Sequence, residues 1–226
     1  MTTADAYRAC LRLARQHYEN FPVASRLLPR ASRPHVAAVY AFARTADDIA
    51  DEGEQTDADR LAKLEEWQWR LHEAVDGRVP EDGSDAASIF VALTETMRRF
   101  DLDTTLLEDL LSAFAQDVIV KRYETWTDLL DYCRRSANPV GRLVLRICGY
   151  RDATLDRQSD AICTALQLTN FWQDLAVDWR KGRVYVPQEL LRGAHADVAS
   201  RAAGEWPAAW QSALGEAARR TRERFT

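Results

Sequence analysis

Turn-forming residues are scarce in this chain. It has 9 glycines and 7 prolines in 226 residues, about 7% where roughly 12% is usual, which disfavours a turn-dense all-β sandwich. An excess of positive charge is also missing. Lys plus Arg number 30 against 35 Asp plus Glu, a net charge of -5, so no global positive field draws in a phosphate backbone and nucleic acid is not an expected partner. Long apolar runs are absent. The longest, Val36 to Ala43, falls far short of the roughly 20 residues that span a bilayer, and Met1 to Arg15 holds no apolar signal-peptide core. The expectation is a cytoplasmic protein. Cys10, Cys133, Cys148 and Cys163 never form a CxxC pair, and His17, His35, His72 and His195 never form HxxxH, so thiolate or imidazole zinc is not indicated. Neither GxGxxG nor a Walker sequence occurs, so neither NADPH nor ATP is expected.

What remains is an ordinary folded composition, 46% hydrophobic and 29% charged, long enough for an enclosed pocket. Apolar residues recur at three and four spacing: Tyr7, Leu11, Ala14, Tyr18; Val36, Val39, Tyr40, Ala43; Leu61, Leu64, Trp67, Leu71. This is the period of helices with one buried face. Further helices are predicted over Ala86–Phe100, Thr104–Val120, Trp126–Arg135, Val140–Cys148 and Thr154 to about Arg180, with a last one after Trp206. Breaks fall at Asn20–Pro34, Asp76–Asp85, Gly149–Asp152 and Gly182–Pro187, and none is a long linker. An all-α single domain over residues 1–226 is expected.

Two constellations carry chemistry. In YAFARTADDIADE (Tyr40–Glu52), Asp47 and Asp51 lie one helical turn apart, about 40° around the axis, with Asp48 on the flank. Like charges at this spacing repel unless a cation bridges them; the plainer alternative is a solvated acidic helix end. In ALQLTNFWQDLAVDWRKGRVYVP, Gln167, Asn170, Asp174 and Asp178 fall at about 0°, 300°, 340° and 20°, a narrow polar stripe on a helix otherwise apolar nearly all round. Such a helix, buried on most sides, requires a partner for its oxygens. Two of these helices facing each other offer hard oxygen ligands in pairs, which suits Mg²⁺ shared with phosphate oxygens.

These two segments resemble the two aspartate-rich motifs of the squalene and phytoene synthase family, from about residue 5 to about residue 190. The resemblance includes YCRRSANPVG (Tyr132–Gly141) and GRVYVP after the second motif. It implies an isoprenoid synthase fold whose helices surround a central prenyl-diphosphate pocket. By the same resemblance, Asp47, Asp48, Asp51, Asn170, Asp174 and Asp178 hold Mg²⁺ ions bridging a diphosphate, and Arg44 contacts that diphosphate. Gln167 lines the pocket near the reacting carbons, and Tyr132 assists ionisation and shields the carbocation. Asp47, Asp51, Asp174, Asp178 and Tyr132 form the implied catalytic set. Arg183 could reach the diphosphate from its loop, as could Arg30, Arg33 and Lys181, with capping or surface roles as the alternative. Tyr185 is a further pocket candidate.

The chain departs from the family pattern in three places. Tyr18-Glu19-Asn20-Phe21-Pro22 stands where many members have Ser-x-Ser-Phe, Gln173 replaces a basic residue before Asp174, and Asn138-Pro139 replaces a small step. Glu19 would repel a second diphosphate. The departures resemble the hopanoid-associated branch that converts presqualene diphosphate to hydroxysqualene, in which Asn20, Gln167 or Gln173 would hold the attacking water. Head-to-head condensation of two farnesyl or geranylgeranyl diphosphates is the alternative, and a non-catalytic binding or assembly factor a second. Family members usually continue with further helices that close the pocket, which this chain is expected to lack. So apolar a product makes transient membrane contact, and contact with neighbouring squalene-pathway enzymes, an expectation. Trp67, Trp69 and Trp126 read as packing residues, Trp172 as either packing or cavity wall, and the Arg219–Arg224 tail as a solvated face.

Overall fold

The computed structural model describes residues 1–16, 27–79, 83–196 and 206–225. Helix α1 (Thr3–Gln16) packs against helix α2 (Arg33–Asp51), and both supply small residues to the core: Ala6, Ala14, Ala37, Ala38, Ala41 and Ala46 have no exposed surface. Small side chains let helix axes approach closely. Around α2 stand α3 (Asp57–Val75), α4 (Asp85–Phe100) and α5 (Thr104–Ile119). Phe42 of α2 stacks on Trp67 at 5.8 Å and meets Phe90 edge-on at 6.1 Å. One polar knot lies in this core: the Tyr7 hydroxyl, His35 Nδ1 and Thr96 Oγ1 stand 2.9 to 3.0 Å from one another.

The helix starts follow local chemistry. Pro34 occupies the first turn of α2, where its missing N–H is harmless. Thr56 with Asp59, and Thr125 with Asp128, form reciprocal capping boxes for α3 and α6 (Trp126–Ser136). Ser84, Asp103 and Asp152 accept backbone N–H groups at the starts of α4, α5 and α8 (Ala153–Gln173), each contribution about 1 kcal/mol.

Between α6 and α8 lies α7 (Asn138–Ile147), antiparallel to α8 across a tight seam. Thr164 Oγ1 donates to Asn138 Oδ1 at 2.9 Å, Arg142 pairs with Asp160 at 2.5 Å, and Arg146 pairs with Asp156 at 2.6 Å. A Cβ on Gly141 would lie 2.2 Å from Ser159 Oγ and 2.6 Å from Cys163 Sγ. Only glycine permits this approach.

The helix expected to run to Arg180 bends at Asp174, whose φ and ψ are -91° and 5°. Helix α9 (Leu175–Arg180) then continues beyond it. Helix α8 also differs from the expectation of burial on most sides. Leu168 and Phe171 are buried, but Ile162 and Leu166 stay about half exposed, because the described neighbours α6, α7 and α11 (Ala208–Arg222) cover only part of its circumference. A short helix unmarked by periodicity, α10 (Gln188–Gly193), follows the loop after α9. That loop is pinned to the α5–α6 connection by an isolated parallel bridge, Arg122 with Val184, and by Val184 N–H donating to the Lys121 carbonyl at 3.0 Å. Among the described residues there is no β-strand, and no helix is long and apolar enough to cross a membrane. The other predicted helices agree with α1–α7 and α11 to within a few residues at each end.

Candidate active site

The first acidic motif occupies the C-terminal end of α2, where the chain leaves the alanine-rich core. Arg44, one turn upstream, serves as its internal counter-ion. Its guanidinium pairs with Asp47 at 3.2 Å, Asp48 at 2.6 Å and Glu52 at 3.1 Å. Asp51 turns the other way, toward the loop after α9, where Arg183 holds it at 2.7 Å and Lys181 donates to its second oxygen. This contact spans 130 positions of chain and draws the two motifs to one cleft.

Electrostatics record the same convergence. Loss of solvent around the carboxyl pushes Asp47 up to about 6, against the pull of Arg44, with the charges of Asp51, Asp48 and Asp117 adding to the rise. Asp178 is likewise raised to about 6, first by burial and then by the charge of Asp174, with Asp51 contributing from across the cleft. Burial would raise Asp51 as well, but the Lys181 and Arg183 contacts hold it below the ordinary carboxylate range. The Asp47 side chain keeps 43% of its exposure, so the motif lines an open cleft.

The second motif supplies residues from three elements. Gln167, half-buried, and Asn170, exposed, are on α8; Asp174, exposed, sits at the bend; Asp178, half-buried, is on α9. Gln173 lies elsewhere, in a groove of about 450 Å³ that it lines with Thr169, Trp172 and Phe225 against α11. Trp172 is a packing residue there, stacked on Trp126 at 6.3 Å and donating from Nε1 to Thr221 Oγ1 at 2.9 Å. Asn20, with the whole Tyr18–Pro22 segment, lies outside the described residues. Arg33 donates to the Leu28 carbonyl at 3.1 Å and Arg30 is exposed, whereas Arg183 and Lys181 reach the first motif through Asp51.

Beside the cleft stands an aromatic wall. Tyr132 on α6, Tyr123 before it, Phe171 on α8 and Tyr185 on the loop form one buried cluster, with Tyr185 stacked on Phe171 at 3.8 Å and 7°. Burial raises the pKa of all three tyrosines, so they stay protonated at neutral pH. The Tyr132 hydroxyl donates to Asp117 Oδ2, and the Tyr185 hydroxyl donates to Asp117 Oδ1 at 3.3 Å. Asp117 was not among the residues singled out from sequence. Its signal was present: it falls on the α5 face that buries Leu107, Leu110, Ala113 and Val118, where a carboxylate is costly without partners.

Among the described residues no three carboxylate, imidazole or thiolate groups converge closely enough to hold a metal by themselves. The donor set consists of hard oxygens whose mutual repulsion is only partly offset by Arg44, Lys181 and Arg183. Such a set fits a divalent cation that takes its remaining ligands from a phosphorylated molecule and water. A separate cavity of about 650 Å³, lined by Ala74, Val91, Met97 and Leu102 among others, lies between α3 and α4 and includes none of the motif residues. The cleft is favoured over it because the two acidic motifs, their cations and, through Arg183 and Asp117, the tyrosine cluster are joined there.

An all-α bundle with two acidic motifs and an aromatic wall at one cleft defines an isoprenoid synthase fold. The model of the squalene/phytoene synthase family matches residues 14–226, and the chain belongs to that family. It is 43% identical over 176 residues to the hydroxysqualene synthase of Zymomonas mobilis, an alignment covering 76% of this chain and 56% of the relative. It is 32% identical over 200 residues to the 15-cis-phytoene synthase of Synechococcus elongatus, covering 83% and 63%. The chain thus spans less than two thirds of the length of these curated relatives. The squalene synthase HpnC from Alicyclobacillus acidocaldarius superposes with a TM-score of 0.88 at 38% identity, covering 99% of this chain and 81% of that one.

Proposed function

We propose that this chain carries the active site of an enzyme that converts presqualene diphosphate and water to hydroxysqualene and diphosphate. The observation that carries the reading is the Asp51–Arg183–Lys181 contact, which brings both acidic motifs to one cleft beside Tyr132. The 43% identity to a hydroxysqualene synthase supports this branch. Asp47, Asp48, Asp51, Asn170, Asp174 and Asp178 would hold Mg²⁺, which when bound would neutralise charge on the diphosphate.

The residues of the chain do the rest. Arg44, Lys181 and Arg183 bind the diphosphate oxygens as the carbon–oxygen bond breaks and its electron pair leaves with the diphosphate. Tyr132, Phe171 and Tyr185 present a protonated, water-excluding aromatic face to the carbocation. Water then adds to the cation and releases one proton, and no reductant is consumed. Gln167, half-buried on α8, would hold that water, whereas Gln173 lines the α11 groove. The apolar product gives a reason for transient contact with a membrane surface and with neighbouring enzymes of squalene metabolism.

Condensation of two farnesyl diphosphates is the second reading, favoured by the likeness to a phytoene synthase. The test is incubation of the chain with presqualene diphosphate, Mg²⁺ and no reductant, followed by chromatography. Hydroxysqualene is expected, and a chelator should abolish both turnover and calorimetric binding of a diphosphate analogue. Efficient formation of presqualene diphosphate from farnesyl diphosphate, or squalene appearing only with NADPH, rejects the proposal.

A further inference from the structure

Asp117 is 8% exposed, on a helix face otherwise made of leucine, alanine and valine. Its carboxylate has two partners, the Tyr132 and Tyr185 hydroxyls, one on each oxygen. Its own carbonyl accepts from Lys121 Nζ at 2.7 Å and from Arg183 Nη2 at 3.4 Å. Stability alone gives no reason for this arrangement, since a buried polar group can often be replaced by an apolar one of similar volume at little loss. The arrangement does have a geometric result. Tyr132 and Tyr185 lie 6.2 Å apart and both flank Phe171, at 6.0 and 3.8 Å. Phenol hydroxyls rotate freely unless an acceptor fixes them. With one acceptor oxygen for each, both protons point to Asp117 and the lone pairs of both phenol oxygens point away from it.

We infer that Asp117 is a positioning residue, which orients the Tyr132 and Tyr185 hydroxyls so that their electron-rich oxygens, not their protons, are free to meet a developing positive charge. Two acceptor oxygens are required. An amide offers only one, and its NH₂ would donate to the second phenol and turn that hydroxyl round. Arg183 ties this node to the acidic cleft, since the same guanidinium reaches both the Asp117 carbonyl and Asp51. The inference rests on the proposed prenyl-diphosphate reading for its catalytic meaning, but the hydroxyl orientation can be tested independently of it.

The test compares the wild-type chain with Asp117→Asn, Asp117→Glu and Tyr132→Phe. Ultraviolet resonance Raman spectra of the tyrosine doublet separate phenols that donate from those that accept. The wild type minus Tyr132→Phe difference should show a strong-donor phenol, and Asp117→Asn should lose donor intensity that Asp117→Glu retains. Inorganic diphosphate with Mg²⁺ should bind Asp117→Asn as it binds the wild type. Turnover of presqualene diphosphate should fall about a hundred-fold in kcat with KM little changed. Adding Asp117→Asn to Tyr132→Phe should cost much less than it does alone, because the two act as a unit. A wild-type difference spectrum without a donor phenol overturns the inference even if Asp117→Asn fails to fold, and so does full additivity of the two substitutions. A chain with the expected spectra and no turnover of presqualene diphosphate would instead reject the proposed function.

Discussion

Gly141→Ala is the substitution whose effect follows most directly from the structure. On an isolated helix it would stabilise by about 1 kcal/mol, because alanine is the better helix former. Here the added Cβ would stand 2.2 Å from Ser159 Oγ and 2.6 Å from Cys163 Sγ, while Ser159 Cβ remains an ordinary 3.6 Å away. Two short side chains on one helix face must both rotate, or α7 and α8 must separate, and overpacking of this kind costs about 1–3 kcal/mol. The net expectation is a loss of up to about 2 kcal/mol, or a fall of up to several degrees in melting temperature at roughly 2–4 °C per kcal/mol for a chain of this size. The diagnostic comparison is the same substitution in a Ser159→Ala/Cys163→Ala background, which removes the two obstructing atoms and keeps the 3.6 Å contact. There Gly141→Ala should be neutral or stabilising. Denaturant titration of the four chains gives the coupling directly. An equal loss in both backgrounds would refute the argument from close approach and point to the backbone conformation of Gly141 instead.

The other expectations concern charge. Asp47→Asn and Asp174→Asn should each lower turnover about a thousand-fold while leaving the melting temperature unchanged or slightly higher, since each removes a member of a repelling group; near-normal turnover in either would return that residue to a solvated helix end. His35 is buried against Tyr7 and Thr96, and burial holds its pKa below the usual value of 6.5, with Arg99 adding to the depression. The unfolded chain therefore takes up this proton first, so the His35 contribution to stability is complete above pH 6.5 and is lost as the pH falls toward the folded-state value. Denaturation midpoints at pH 7.5 and 5.5 should show a smaller decline in His35→Gln than in the wild type.

Much of the fold was legible because helix periodicity and capping are local. The runs beginning at Val36 and Leu61, and the Asp152 and Thr125 starts, need only a few neighbouring residues to specify them. The two acidic motifs were legible for the same reason, as short spacings along the chain. The partners of those spacings were not. Lys181 and Arg183 read equally well as loop surface residues, and only the folded chain brings them 130 and 132 positions back to Asp51. The bend at Asp174 escaped the helical-wheel angles because those angles assume a straight axis. Asp117 was overlooked because a single acid in an apolar helix carries no spacing signal; what distinguishes it is which tyrosines lie opposite.

The seam between α7 and α8 works as a vernier. Asn138, Arg142 and Arg146 advance by one turn at a time, and their partners Thr164, Asp160 and Asp156 retreat in equal steps. Sliding α8 by one turn in one direction would set Arg146 against Asp152, competing with the carboxylate that caps α8, and Asn138 against Asp160. Sliding it the other way would set Arg142 against Thr164 and bury Asn138 against Leu168. A slide either way loses the Asn138–Thr164 hydrogen bond and rearranges both arginine–aspartate pairs, so the present alignment is favoured over positions displaced by a turn, about 5.4 Å. Gln167 and Asn170 ride on the same rigid rod. Their height relative to Asp47 and Asp51 is thus graduated by pairs that lie well outside the cleft, and a change in those remote pairs would be read as a displacement at the polar stripe.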